Sequence, residues 1–230
     1  IDEDLDQPLT DAERQLFYQI SEQVSEALEA ARLFEQTQDS LAVQERLSSE
    51  LGTVAEVSTA ASTILEADKL LQVVVDLAKE SFHLYHAHVY LLDDDAEKLV
   101  LQAGSGTVGR LMVLEGREIG IDSYSLVAQV ARQKTPIIEN KVSDVTNFLP
   151  HPLLPDTKSE MAVPLIVGAK LIGVMDLQSD QEDYFTDDDV QVQRTLSSQI
   201  AVSIQNARLY AEQVEAAKKL RQVDQLKSEF

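Results

Sequence analysis

The sequence predicts an α+β fold in which an antiparallel sheet with helices packed on it is set between two long helices. Three observations carry this. Apolar residues recur at three- and four-residue steps near both ends of the chain. Between those ends, strand-like runs come in pairs joined by tight turns, whereas a parallel sheet needs a helical crossover between strands. A stretch near the start also recurs near the end, 176 residues later.

From Thr10 to about Glu66 there is no proline and one glycine, Gly52. Apolar residues fall at Leu16, Ile20, Val24, Leu28, Ala31 and Phe34, then at Leu41, Leu47, Leu51 and Val54, which predicts one long helix or two nearly continuous ones. Thr10 followed by Glu13 forms a capping box, satisfying two backbone donors that the first helical turn would leave unpaired. A second helix is expected from about Lys69 to Phe82. The run HAHVYLLD then alternates and is rich in β-branched and aromatic residues, the acidic turn at Asp93 to Asp95 interrupts it, and KLVLQAG completes a hairpin. A short helix from Tyr124 to Lys134 precedes Pro136-Ile137-Ile138. The proline-rich stretch NKVSDVTNFLPHPLLPDTKS follows, long enough to act as a lid over a site. The clearest hairpin is SEMAVPLIVG and KLIGVMDLQS, turning at Gly168-Ala169-Lys170. The last helix begins at Thr186, with Asp187, Asp188 and Asp189 in its first turn, where negative charge is favourable.

The repeat aligns residues 9–38 with 185–214. Thr10, Asp11, Gln15, Ser21, Gln23 and the triplet Ala31-Arg32-Leu33 are identical to Thr186, Asp187, Gln191, Ser197, Gln199 and Ala207-Arg208-Leu209. Ile20, Val24, Leu28 and Phe34 meet Leu196, Ile200, Ile204 and Tyr210. Cap, apolar stripe and polar face all coincide, so the opening helix reads as the last helix of a preceding copy of the domain.

With 19 basic against 40 acidic residues, the net charge is −21, and such a surface repels nucleic-acid phosphates and anionic lipid headgroups. No nucleic-acid or direct membrane contact is expected. Cysteine is absent, which removes disulfides, thiolate metal sites and cysteine nucleophiles. The opening residues IDEDLDQPLT lack the basic and apolar regions of a signal peptide, and a cytoplasmic location is expected.

The segments AGSGTVGRLMVLEG, SLVAQVAR, PIIENKVSD, FLPHPLLPDTKSEMAVPLIVGAKLIGVMDLQSD and FTDDDVQVQRTLSSQIAVSIQNARLYAE resemble a GAF domain of the kind found in bacterial sensor histidine kinases. The resemblance runs from about Leu51 to Tyr210. It implies a six-stranded antiparallel sheet with helices on one face and a small-molecule pocket, roofed by loops and short helices, on the other. The terminal VDQLKSEF resembles the opening of a kinase dimerisation helix. The implied division is residues 1–50 as the end of a preceding GAF-like domain, 51–210 as a GAF domain and 211–230 as a coiled-coil linker toward a kinase. The role implied is a sensory module that binds a small molecule and relays the signal through dimeric helices; a ligand-free dimerisation and relay module is the alternative. In the family, covalent bilin attachment and free-methionine sulfoxide reduction require cysteines, which are lacking. No cofactor is expected, haem is disfavoured, and a non-covalent ligand remains open. Of the cyclic-nucleotide signature N-K-x-F-D-E, only Asn140-Lys141 and a displaced Asp144 are present.

His86, His88 and Tyr90 alternate along one strand and so share a face, while Ala87, Val89 and Leu91 line the other and should meet the helices. The histidines then face the pocket. With His151 they form a three-imidazole metal site, supply an axial haem ligand or, as favoured, are exposed or hydrogen-bonded histidines near a strand end. Tyr124, Asn140, Phe148 and Met161 complete the pocket candidates. The segment Phe148-Leu149-Pro150-His151-Pro152 suits a lid and equally a rigid connection. Gly104-Ser105-Gly106-Thr107-Val108-Gly109 matches the dinucleotide-binding glycine pattern, but RLMVLEG after it is β-like, so a flexible connection is expected instead of the required helix. No nucleophile, base or paired-carboxylate motif stands out, and no catalysis is expected. Beyond Ile204, Ala207, Ala211, Val214, Ala217 and Leu220 form a narrow apolar seam at coiled-coil spacing, predicting a parallel homodimer through the entry and exit helices.

Overall fold

The computed structural model describes residues 10–64, 66–145 and 148–228. The chain divides into two compact units, residues 1–50 and 51–230. Its first helix, α1, runs Asp11–Thr63. In the first unit the stripe Leu16, Ile20, Val24 and Leu28 is more than half exposed, as are Phe17 and Phe34. The side chain of Glu13, half of the expected capping box, lies outside the described residues.

In the second unit, helix α2 (Ala67–Ser81) leads into strands β1 (His86–Leu92) and β2 (Lys98–Gly104). Helix α3 (Gly106–Leu114), strand β3 (Glu118–Gly120), helix α4 (Leu126–Gln133) and strand β4 (Ile137–Glu139) follow. The hairpin β5 (Ser159–Val167) and β6 (Lys170–Ser179) precedes the last helix, α5 (Asp187–Ser228). The six strands form one sheet in the order β3-β2-β1-β6-β5-β4, and every neighbouring pair is antiparallel. The β5–β6 turn is tight because Gly168 takes φ +62°, which a side chain would oppose.

Period-two alternation sorts the sheet's side chains into two cores. On one face Ala87, Val89 and Leu91 join Met161, Met175 and Leu177 beneath α2 and α5, whose Leu70, Val74, Leu196, Ile200 and Ile204 complete the layer. This is the helical face expected for β1. On the other face Tyr90, Leu99 and Val174 pack with Met112 of α3 and Leu126 and Val130 of α4. The capping box forms at the start of α5: the Thr186 amide donates to Asp189 Oδ2 at 2.7 Å, and the Asp189 amide donates to Thr186 Oγ1 at 3.3 Å. Ala207, placed in the dimer seam by its spacing, belongs instead to this core and is 2% exposed.

One expected connection is a helix. The glycine-rich segment after β2 starts α3 at Gly106, whose φ of +64° turns the chain sharply. Gly104 and Gly109 touch backbone to backbone, so that a Cβ on Gly109 would lie 1.9 Å from the Gly104 carbonyl carbon. The glycine spacing therefore serves a strand-to-helix turn, and the antiparallel pairing of β2 with both of its neighbours differs from the parallel unit the dinucleotide pattern requires. Asp76 Oδ1 of α2 accepts the Gly106 amide at 2.8 Å and supplies the negative charge the helix start favours.

Candidate functional site

On the α3–α4 side, β1, β6 and β5 bring a row of polar side chains together in the middle of the sheet. His86 and His88 of β1 stand opposite Gln178 and Asp176 of β6, and Glu160 of β5 stands opposite Gln178. All five are buried. The His88 Nδ1 donates to Asp176 Oδ2 at 3.1 Å, and Gln178 Nε2 donates to the same oxygen at 2.9 Å. Thr157 Oγ1, on the segment leading into β5, donates to Gln178 Oε1 at 2.8 Å. A hydrogen-bond chain thus runs from the roofing segment to the centre of the sheet.

Burying so many ionisable groups sets their charges apart. Burial alone would raise the Asp176 carboxyl, but hydrogen bonding, with His88 foremost and then with Glu160 and Gln178, outweighs it and holds the group below its usual range. Glu160 goes the other way: burial first, then the charge of Asp176, raise it well above the carboxylate range. The two carboxyls are thereby set apart, Asp176 favouring its ionised form and Glu160 its protonated form. His86, its ring centroid 4.3 Å from that of His88, is pushed down to about 3 by burial and then by His88, and stays neutral. Burial also raises the Tyr90 hydroxyl, which accepts a hydrogen bond from Arg117 Nε at 3.2 Å.

All of these groups but His86 line a cavity of about 20 Å³, space for a single water, roofed by Phe148, Leu149, His151 and Leu154. Three buried polar atoms of the cluster have no hydrogen-bond partner: Nε2 of His86, Nε2 of His88 and Oδ1 of Asp176. Buried polar atoms are normally hydrogen-bonded, and a water or a ligand group in the cavity would pair those of His88 and Asp176. With an ionised Asp176, the arrangement is suited to a small polar molecule bearing N–H or O–H donors.

Four of the eight pocket candidates line the cavity: His88, Tyr90, Phe148 and His151. His86 is buried behind them, and its Nδ1 lies 3.4 Å from Ser105 Oγ. That serine also accepts the Ala87 amide at 3.0 Å, so the Ser–His contact anchors α3 to β1 and does not open onto the cavity. The other three are elsewhere. Tyr124 is 89% exposed, because it precedes Ser125, whose hydroxyl caps α4 by accepting the Ala128 amide. Asn140 clamps the backbone of Phe185, donating to its carbonyl and accepting from its amide. Met161 alternates with Glu160 and so faces the α5 core. The three imidazoles do not converge: His151 Nε2 faces Glu115 Oε2 at 3.7 Å, and no cluster of three metal-ligating side chains occurs among the described residues.

Sequence reasoning missed Arg117, Glu160, Asp176 and Gln178. A signal was present, since Glu160, Asp176 and Gln178 are polar residues at alternate positions of otherwise apolar strands, which places them together on one face.

An antiparallel six-stranded α+β domain with a closed polar pocket between its sheet and two short helices defines the class. The chain belongs to the GAF domain family, a family of sensory and regulatory domains, whose family model matches residues 65–205. Among solved structures it is similar to the GAF domain of a phosphoenolpyruvate-protein phosphotransferase from Coxiella burnetii, at 18% identity and a TM-score of 0.65, covering 72% of this chain and 98% of that one. It is similar to a free methionine-R-sulfoxide reductase from Neisseria meningitidis in complex with its substrate, at 18% identity and a TM-score of 0.62, covering 71% and 93%. A methyl-accepting chemotaxis protein fragment gives 17% identity and a TM-score of 0.57, covering 66% and 97%. At these identities the likeness establishes the fold. No curated protein matches the sequence. No described helix is long and apolar enough to cross a membrane.

Proposed function

We propose that this chain is the sensory segment of a cytoplasmic two-component signalling protein, a GAF domain that follows a preceding GAF domain and passes its signal to a histidine kinase. It acts by binding a small polar molecule, not by catalysis. The single observation that carries the reading is the buried pair His88 and Asp176, each with a polar atom unpaired within the protein, lining a small cavity roofed by 148–154. The kinase assignment is supported by VDQLKSEF at the end of the sequence, and the signalling role by the chemotaxis protein among the structures it is similar to.

The relay follows from alternation along β6. Asp176 and Gln178 face the cavity, while Met175 and Leu177 on the same strand pack with Leu196 and Ile200 of α5. A ligand that separates 148–157 from the sheet breaks the Thr157–Gln178 hydrogen bond and repositions β6, and α5 takes up the shift. Exposed Leu209, Tyr210 and Val214 on α5 supply apolar surface for pairing with a second copy, which makes a homodimer the transmitting form.

The size of the cavity favours a second reading, a ligand-free dimerisation and relay module whose pocket is filled by its own side chains. Native mass spectrometry of the protein as purified separates the two. A non-covalent mass excess that is lost in Asp176→Asn is expected; the bare chain mass in both proteins would favour the spacer.

A further inference from the structure

The repeat places the same helix twice in one sequence, and the two copies differ in what covers them. On α5, Leu196, Ile200 and Ile204 are 0% exposed, seated on the sheet beside Met175 and Leu177. Their counterparts on α1, Ile20, Val24 and Leu28, are 51%, 52% and 67% exposed. The small residues match as well. Ser197 is fully buried, its hydroxyl against the Met175 sulfur at 4.0 Å, and Ala201 is fully buried one turn on. Ser21 and Ser25 hold those positions in α1 and are exposed. Small side chains there let a helix backbone approach a sheet closely.

A second pair of positions separates this face from a helix-pairing seam. Leu33 and Phe34 are exposed on α1, and their equivalents Leu209 and Tyr210 are exposed on α5, although α5 already covers a sheet. Residues exposed in both copies are therefore not part of the face that covers a sheet. Those buried in one copy and exposed in the other mark the face that takes a sheet. A contiguous apolar stripe of this size marks a site of interaction.

We propose that the face of α1 bearing Ile20, Ser21, Val24, Ser25 and Leu28 docks on the apolar side of an antiparallel sheet from a second GAF domain of the parent polypeptide. The occupant is a sheet of the kind that α5 covers here, and α1 is its closing helix. This rests on the tandem part of the proposed function and is independent of whether the pocket binds a ligand.

Hydrogen exchange on the full-length polypeptide and on residues 1–230 tests it. Amides of 16–31 are expected to exchange about 100-fold slower or more in the full-length protein, the difference between a core-anchored and a solvent-exposed helix. In the full-length protein, Val24→Asp is expected to abolish that protection, and Leu33→Asp to retain it. Equal exchange in both polypeptides would overturn the docking even where a preceding GAF domain is present, leaving the tandem reading intact. Slow exchange in residues 1–230 that disappears on dilution would also overturn it, making a second copy of α1 the occupant. Comparison of the two wild-type polypeptides decides the matter should a variant fail to fold.

Discussion

His86 and Glu160 pull the stability of the domain in opposite directions with pH. His86 is held at about 3 in the fold against an ordinary 6.5, so between those values the unfolded chain binds the proton and the native state does not. Stability therefore falls as pH drops from about 6.5 toward 3, by up to about 1.4 kcal/mol per pH unit. Glu160 is raised above its ordinary 4.5, so the native state holds a proton that the unfolded chain releases, and its contribution is lost as pH rises above that value. Urea unfolding between pH 4.5 and 8 is expected to give a shallower acid-side loss in His86→Gln. Glu160→Gln is expected to gain on the wild type as pH increases. Parallel stability curves for all three proteins would contradict the assigned protonation states. The histidines were legible in the sequence because alternation alone fixes which face of β1 they share. Their partners were not, because no local pattern states that β6 lies beside β1, and Asp176 and Glu160 stand within runs read as apolar strands. Tyr124 was misplaced for a related reason: the helix cap next to it sets its direction, and Ser125 takes the buried position.

Element boundaries followed local chemistry closely where punctuation was strong, as at Thr186, at Gly168 and at the two ends of α4. The exception is α3. Its β-branched and apolar content reads as a strand, yet the contact between Gly104 and Gly109 folds it back as a helix against β2, with Asp76 neutralising its start. Tertiary packing overrode local propensity there. Gly109→Ala would force backbone apart at a point with no flexible side chain to yield. It is expected to destabilise the domain by about 2–4 kcal/mol in denaturant titration, and a loss under about 0.5 kcal/mol would show that the turn relaxes freely. At the level of the sheet, six antiparallel strands and a helical layer on the Ala87–Val89–Leu91 face match the expectation. The strand order does not follow from the sequence, because it depends on β1 and β6 meeting across most of the domain.

At the scale of the whole molecule, the polar pocket and α5 lie on opposite faces of the same strand, β6, one residue out of phase. Under the proposed function, that juxtaposition makes Asp176 the residue on which sensing turns. The most direct measurement is the thermal unfolding midpoint of wild type and Asp176→Asn across a panel of small amines, amino acids and polyols. A true effector present at about 100 times its dissociation constant stabilises by about 2.7 kcal/mol, or about 5 °C or more for a domain of this size. At least one compound is predicted to raise the midpoint by that amount in the wild type and to leave Asp176→Asn unchanged. A panel that moves neither protein, or moves both equally, would contradict the pocket's role.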